Sequence, residues 1–342
     1  MIRGWASWWS GEEPAEALAA VRILLPLVVL ADLVTMARVD AVTLLWGPVV
    51  EGGIGRSPKA WFFWWDAISG FPHSGWWMWG GQVTCLVLLL LGIAPRAAAA
   101  GFALLSAQAG MILPGADRGI DALIRNACWI LAFSRCGDSL SVLSWWRTGA
   151  LFGRSRPIPA WPRRLLWTQL LVMYFLAGVQ KFGVGWTPAG DFSALWVITH
   201  DWAVTRSIPG NIDAPWLYQA LRVGTLVTIV WEWATPFLFL ATWVRGRAGR
   251  LGDWVRRNRP DDLWVGAGVC FHVGIAFLLD LGIFPFAMLA LYPAFVRYPR
   301  SERASTPPNA SRASGVNNRA DTRHNIGVTG SGATVGASPG AT

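Results

Sequence analysis

The chain has 342 residues, of which 54% are hydrophobic and only 14% are charged. Soluble domains carry about 25% charged residues, so this composition excludes a typical soluble protein and indicates a multi-pass membrane protein. The 24 tryptophans fit that class, because tryptophan collects at membrane interfaces. The formal charge of +9 comes from arginines concentrated in a few loops and the C-terminal part, which indicates membrane topology and attraction to lipid rather than nucleic-acid binding.

The apolar segments predict an all-α bundle of about eight membrane-spanning helices: residues 17–36, 76–93, 97–113, 120–133, 165–179, 223–244, 264–279 and 283–296. The first segment contains Arg22 and Asp32, which are costly at that depth, so we expect each to have a structural partner elsewhere. The fourth is less hydrophobic and is predicted to face the bundle interior. Its Asp121 and Arg125 have the i,i+4 spacing of a helical ion pair.

Two arginine-rich loops, residues 134–164 and 245–259, predict the orientation of the bundle. By the positive-inside rule both are cytoplasmic, and residues 182–222 lie outside. Eight spans then place both termini in the cytoplasm of a bacterium, with the bundle in the inner membrane. Residues 1–298 form the predicted membrane domain, and residues 299–342 are predicted to be a disordered cytoplasmic tail because they contain almost no large apolar side chains.

The sequence predicts neither a metal site nor a soluble-enzyme motif. The four cysteines and four histidines are scattered without ligand spacing. Gly183 and Gly185 lack the third glycine and the preceding strand of a dinucleotide site, and zinc-protease, serine-hydrolase and Walker motifs are absent from the sequence. The chemistry is therefore sought at ionisable groups within or beside the predicted spans.

Lys181 is the first such candidate, because it is one of only two lysines in a chain that otherwise uses arginine for positive charge. An amine can lose its proton when it is desolvated, whereas a guanidinium in practice cannot. The alternative is a lysine that snorkels to the interface from a helix end. On a helix, Tyr174 and Gly178 share a face with Lys181, and Gly178 would let a neighbouring helix or a flat ligand approach. Glu232 is the expected carboxylate that would keep the amine charged.

Residues 174–186, Tyr-Phe-Leu-Ala-Gly-Val-Gln-Lys-Phe-Gly-Val-Gly-Trp, resemble the segment that carries the active-site lysine of vitamin K-dependent gamma-carboxylase. The same segment occurs in its bacterial relatives, the horizontally transferred transmembrane (HTTM) family. A second block, Phe271-His272 followed by residues 281–290 and 293–295, resembles the later transmembrane signature of that family. The resemblance covers roughly residues 15–298 and is weaker in the first half.

The resemblance implies Lys181 and His272 as catalytic residues and a reduced, vitamin K-like quinone as cofactor. In the family a neutral lysine deprotonates the quinol, whose reaction with oxygen yields a strong base that removes a glutamate γ-proton before carbon dioxide adds. The implied partners are membrane lipid and a small secreted peptide or a lipid-soluble small molecule. The resemblance also implies a cavity for the substrate and the quinol, and the residues expected around it are Tyr174, Gly178, Gln180, Trp186, Asp191 and Glu232.

The sequence departs from the family in two respects. No histidine lies between His73 and His200, although the family has an important histidine near the fourth span, and no large extracytoplasmic domain follows the last span. Two hypotheses therefore remain open: a carboxylase-like, quinol-dependent enzyme, and a non-catalytic binding or peptide-maturation protein that keeps the fold. An ordinary transporter is disfavoured, because no inverted repeat with paired broken helices is visible.

Overall fold

The computed structural model describes residue 6 and residues 8–55, 68–150, 157–206, 215–245 and 249–296. Contacts group residues 1–298 into one compact unit. The predicted disordered tail at residues 299–342 lies outside the described residues. The described part is almost entirely helical, which confirms the predicted all-α class.

Helices account for nearly all of the regular structure. The α-helices are α1 Glu16–Arg38, α2 Ala41–Trp46, α3 Ser74–Leu91, α4 Pro95–Ile112, α5 Gly119–Ala132, α6 Val142–Thr148, α7 Trp161–Val179, α8 Ala194–Thr199, α9 Pro215–Trp233, α10 Thr235–Arg245, α11 Arg250–Asn258, α12 Pro260–Leu278 and α13 Phe284–Leu291. Short 3-10 turns are Val49–Glu51, Pro114–Ala116, Val184–Trp186, Pro188–Gly190 and Tyr292–Phe295. Two antiparallel strands of two residues each, β1 Glu12–Glu13 and β2 Ile158–Pro159, tie the N-terminal region to the start of α7.

Three helical segments among the described residues are long and apolar enough to cross a membrane: Glu16–Arg38, Ser74–Leu91 and Arg250–Leu278. The bent pair Pro215–Trp233 and Thr235–Arg245 makes a fourth if it is one span. The chain is therefore a membrane protein, but the predicted count of eight spans was wrong by this measure.

The remaining predicted spans fall short for identifiable reasons. Helix α4 is rich in alanine and glycine, so it is only weakly apolar. Helix α5 has 14 residues, or about 21 Å at 1.5 Å per residue, against a hydrocarbon core of about 30 Å. Helix α7 has two arginines in its first turn, and α13 has eight residues before it passes into a 3-10 turn.

Arg22 is completely buried in the second turn of α1, and its hydrogen-bond partners among the described residues are all backbone carbonyls. Its guanidinium donates to the carbonyl oxygens of Leu89 at 2.7 Å and Leu90 at 2.8 Å, at the end of α3. It also donates to Cys136 at 3.1 Å and to Leu140. The last carbonyls of a helix lack internal donors and carry partial negative charge, so the end of α3 takes the place of a carboxylate. The expected structural partner of Arg22 is confirmed.

A charge cluster at the start of α5 corrects the predicted pair of Asp121 and Arg125. Asp121 instead accepts from the Arg118 side chain and backbone at 2.9 Å, closing a capping box at the helix start. Arg118 also binds Asp32 at 2.7 Å, which supplies the partner expected for that half-buried acid. Arg125 then reaches back to both carboxylate oxygens of Asp117, each at 2.7 Å. The predicted i,i+4 pair does not form because Asp121 is already bound by Arg118 in the helix cap.

Helices α9 and α10 meet at a bend of 44°. Pro236, in the first turn of α10, has no N–H to give to the carbonyl of Glu232 four residues earlier. The Thr235 hydroxyl donates to that carbonyl at 2.8 Å instead. The break therefore places Glu232 one residue before the end of α9, beside the end of α7.

Candidate functional site

Lys181 lies two residues beyond the end of α7 and forms an ion pair with Glu232 of α9. Its Nζ donates to both carboxylate oxygens, at 2.7 and 2.6 Å, and to the carbonyl oxygen of Ala177 at 3.3 Å. The Lys181 side chain is 18% exposed and that of Glu232 only 4%. The sequence-based expectation that Glu232 is the carboxylate opposite the lysine is confirmed.

Gly178 is buried on the face of α7 that meets α9, as its spacing from Lys181 predicted. A Cβ atom here would lie 2.8 Å from Cδ1 of Trp233 and 3.0 Å from Cβ of Glu232. Glycine is thus needed for the close approach of the two helices. The space that was expected to admit a flat ligand contains the Trp233 indole.

The other predicted cavity residues fall into two groups. The Trp186 ring lies beside the amine, with its centroid 5.1 Å from Lys181 Nζ, a distance at which a cation interacts with an aromatic face. Asp191 instead binds Arg222 and accepts from the Tyr218 hydroxyl at 2.9 Å, so it fixes the loop to the start of α9. The Gln180 side chain is exposed at the helix end. Trp186 belongs to the lysine site, and neither Asp191 nor Gln180 binds the amine.

His272 belongs to a second buried network that also starts from α7. The Tyr174 hydroxyl lies 2.6 Å from His272 Nε2 and 3.0 Å from the hydroxyl of Tyr292. His272 is fully buried, and its Nδ1 has no hydrogen-bond partner among the described residues. Tyr292 is a member that the sequence interpretation missed, although it immediately precedes the Pro293 block.

A pair of indoles encloses Tyr174. Trp231 and Trp264 stack with centroids 4.7 Å apart, and each indole N–H donates to the backbone carbonyl of the other residue, at 3.0 and 3.1 Å. The Tyr174 ring meets Trp231 edge-on at 4.6 Å. No periodicity in the sequence indicates this reciprocal bonding, because the two tryptophans belong to different helices.

The two networks are neighbours rather than one site. Tyr174 and Lys181 are two turns apart along the same segment, and Trp231, which contacts Tyr174, directly precedes Glu232. Among the residues that the structure describes, no hydrogen bond joins the ion pair to the tyrosine–histidine network. The predicted catalytic pair of Lys181 and His272 is thus brought to the same region, with each residue held by its own partners.

The space at Gly178, on the α9 side of Lys181, is closed to a quinol. Such a ligand needs a flat slot next to the amine, and the Trp233 indole stands against Gly178 where that slot was expected. His272 Nδ1 is the one buried polar atom of the two networks that could still accept a ligand contact. Within the described ranges, no group of three or more His, Cys, Asp or Glu side chains could hold a metal ion.

No protein-family model, curated protein or solved structure matches the chain. The proposed relationship to the HTTM family therefore rests on residues 174–186 and on the block at residues 271–295.

Proposed function

We propose that the chain is an HTTM-like protein of a bacterial inner membrane that keeps the carboxylase-like fold for binding or peptide maturation without performing carboxylation. Its Lys181 would then hold α7 to α9 rather than act as a base. The ligands of such a protein are a lipid-soluble small molecule or a short secreted peptide, and both termini would lie in the cytoplasm.

The observation that supports this proposal is the two-oxygen ion pair between Lys181 and Glu232. A general base must be neutral before it can accept a proton, whereas a lysine bound to both oxygens of a buried carboxylate is stabilised as the ammonium ion. Opening this pair would leave a charge in a poorly solvated place, which costs several kcal/mol. The resting arrangement therefore opposes catalysis by this amine.

A second candidate function is carboxylase-like, quinol-dependent catalysis, and a different observation favours it. His272 is fully buried with Nδ1 free of described partners, and such orphaned polar atoms are rare in interiors without a ligand or water. An ionisable residue inside a membrane helix is also a functional-site candidate in its own right. In this second function Lys181 would have to leave Glu232 before it could act.

Oxygen consumption by the purified full-length protein, supplied with a reduced vitamin K-like quinol, separates the two functions. We expect the wild type and the Lys181→Arg variant to consume oxygen at the same background rate, because neither holds a neutral amine. A quinol-dependent rate in the wild type that is lost in a folded Lys181→Arg protein would overturn the proposal.

The structural role of the pair has its own readout. Lys181→Met should lower the free energy of unfolding by about 3–5 kcal/mol, because it leaves the Glu232 carboxylate buried and unpaired. The double variant Lys181→Met/Glu232→Met should recover most of that loss. Arg206→Met is the matched control, since its pair with Asp280 is exposed and spans 3.7 Å, and it should change stability little.

A further inference from the structure

A cleft of about 180 Å³ lies at the opposite end of α7 from Lys181. It opens where the start of α7, the end of α10, the start of α12 and the turn Tyr292–Phe295 come together. Three arginines and three aromatic residues form most of its lining: Arg163, Arg164, Arg245, Trp8, Trp167 and Phe295. None of these residues belongs to the lysine site or to the tyrosine–histidine network.

The arginines of this cleft are held in fixed positions. Arg163 binds both carboxylate oxygens of Glu13, at 2.7 and 2.8 Å, and its third nitrogen donates to a backbone carbonyl. The guanidinium of Arg164 lies 5.0 Å from the centroid of the Trp8 ring. Positioned guanidinium groups suit phosphate, because their planar array of N–H donors can bind two of its oxygens at once.

Arg245 offers a donor that the protein leaves unused. It binds Asp261, with Nη1 2.8 Å from one carboxylate oxygen, yet its buried Nε has no hydrogen-bond partner among the described residues. Asp261 and Asp262 also line the cleft, and Asp262 is engaged by Arg259 at 2.6 Å. With Glu13, which binds Arg163, three carboxylates face the three arginines, so the excess positive charge comes from residues beside the lining: Arg259 at Asp262, and the exposed Arg250 and Arg257 of α11.

Helix α11 continues this surface away from the cleft. Two hydrogen bonds join the helix to Arg245. The Arg245 side chain donates to the carbonyl oxygen of Val255 at 3.3 Å, and the Arg256 side chain donates to the carbonyl oxygen of Arg245 at 2.7 Å. The helix also exposes two large apolar side chains, Leu251 at 61% and Trp254 at 55%.

Exposed arginines flank those apolar side chains at positions 250 and 257. Helix α11 is the charged end of the segment Arg250–Leu278, which is apolar enough to cross a membrane. At such an end, exposed apolar side chains can contact acyl chains while the arginines lie among anionic headgroups. The cleft and α11 thus form one continuous basic surface.

We propose that the cleft binds the phosphate-bearing headgroup of an anionic membrane lipid. The volume suits a headgroup rather than a whole lipid, the arginines bind the phosphate, and Trp167, Val265 and Phe295 provide an apolar wall for the first part of an acyl chain. A lipid rather than free phosphate is the occupant, because the cleft adjoins a helix that itself exposes leucine and tryptophan.

Lipid retention by the full-length protein tests this site. The protein is placed in bilayers of equal phosphatidylglycerol and phosphatidylcholine, extracted in mild detergent, and its retained lipids are counted by mass spectrometry. One basic residue near an anionic surface contributes a preference of about fivefold, so Arg164→Gln should reduce the enrichment in phosphatidylglycerol by about that factor. Arg206→Gln, which removes an exposed arginine outside the cleft, should leave the enrichment unchanged.

A second variant tests the same site in case Arg164→Gln misfolds. Val265→Trp fills the cleft without changing charge, and it should also lose the enrichment while gel filtration shows an intact protein. Equal retention of both lipids by the wild type would overturn the proposal. Release of phosphatidylglycerol by inorganic phosphate as readily as by excess phosphatidylglycerol would overturn it too, since the site would then take the free anion.

Discussion

Arg22 shows how a membrane helix can bury a guanidinium without a carboxylate. Its donors meet four backbone carbonyls, two of them at the end of α3, and that chain end approaches closely because residue 92 is glycine. Gly92 has φ +70°, and a Cβ there would lie 2.8 Å from Arg22 Nη1 and 2.3 Å from Cβ of Ser141. The arginine therefore joins three separate segments of the chain.

Replacing Arg22 should destabilise the protein strongly. Arg22→Met leaves four carbonyls without their donor, and Arg22→Lys keeps the charge but cannot reach all four with one ammonium group. We expect both variants to lose about 2–5 kcal/mol of unfolding free energy. The measurement is thermal unfolding of the detergent-purified protein, followed by tryptophan fluorescence. Arg38→Met is the control, because Arg38 is exposed in the last turn of the same helix, and an equal loss there would contradict the argument.

The bend between α9 and α10 links the course of two helices to the position of Glu232. Pro236 removes one helical hydrogen bond, and the Thr235 hydroxyl replaces it at the carbonyl of Glu232. The residue that pairs with Lys181 is therefore also the residue whose carbonyl the proline leaves without a backbone donor. The geometry of the break and the position of the carboxylate are coupled.

Thr235→Val should therefore cost more than an ordinary loss of a threonine hydrogen bond. It leaves the Glu232 carbonyl buried without a donor, at about 1–3 kcal/mol. Thr228→Val is the matched control, because the Thr228 hydroxyl donates to the Gly224 carbonyl at 2.8 Å, which keeps its backbone N–H donor within α9. The two free energies of unfolding should differ by about 1 kcal/mol or more, and equal losses would show that the bend does not depend on this hydroxyl.

The elements of the fold were only partly predictable from the sequence. Long apolar runs gave α1, α3 and α12 with small errors at their ends, because a continuous run of apolar residues has one simple solution in a membrane. The pairing of Asp121 was mispredicted because capping depends on Arg118, outside the assumed helix. The spacing of Tyr174, Gly178 and Lys181 identified one face of α7. The contacts of Tyr292 and of the two stacked tryptophans could not be predicted, because they depend on which helices pack together.

At the scale of the whole molecule, α7 runs antiparallel to the bent pair α9–α10. Its start lies with Arg245 at the cleft, its end pairs with Glu232, and the following loop reaches Arg222 through Asp191. Residues 161–191 therefore run beside most of the bent pair α9–α10, which is apolar enough to cross the membrane if it is one span. Helix α7 fails the hydropathy criterion for a membrane span, and two arginines lie in its first turn.

Accessibility of cysteines introduced on either side of α7 tests this arrangement. Trp202 is exposed just after α8, on the C-terminal side of α7, and Trp146 is exposed in α6 before α7. If α7 crosses the membrane and the arginine-rich loops are cytoplasmic, a membrane-impermeant maleimide added to intact cells should label Trp202→Cys and not Trp146→Cys. Both should react after lysis, which is the control for accessibility. Labelling of both positions in intact cells would place them on one side, so that α7 would be a helix that enters and leaves the same face, and the cleft and Lys181 would no longer be separated by the membrane.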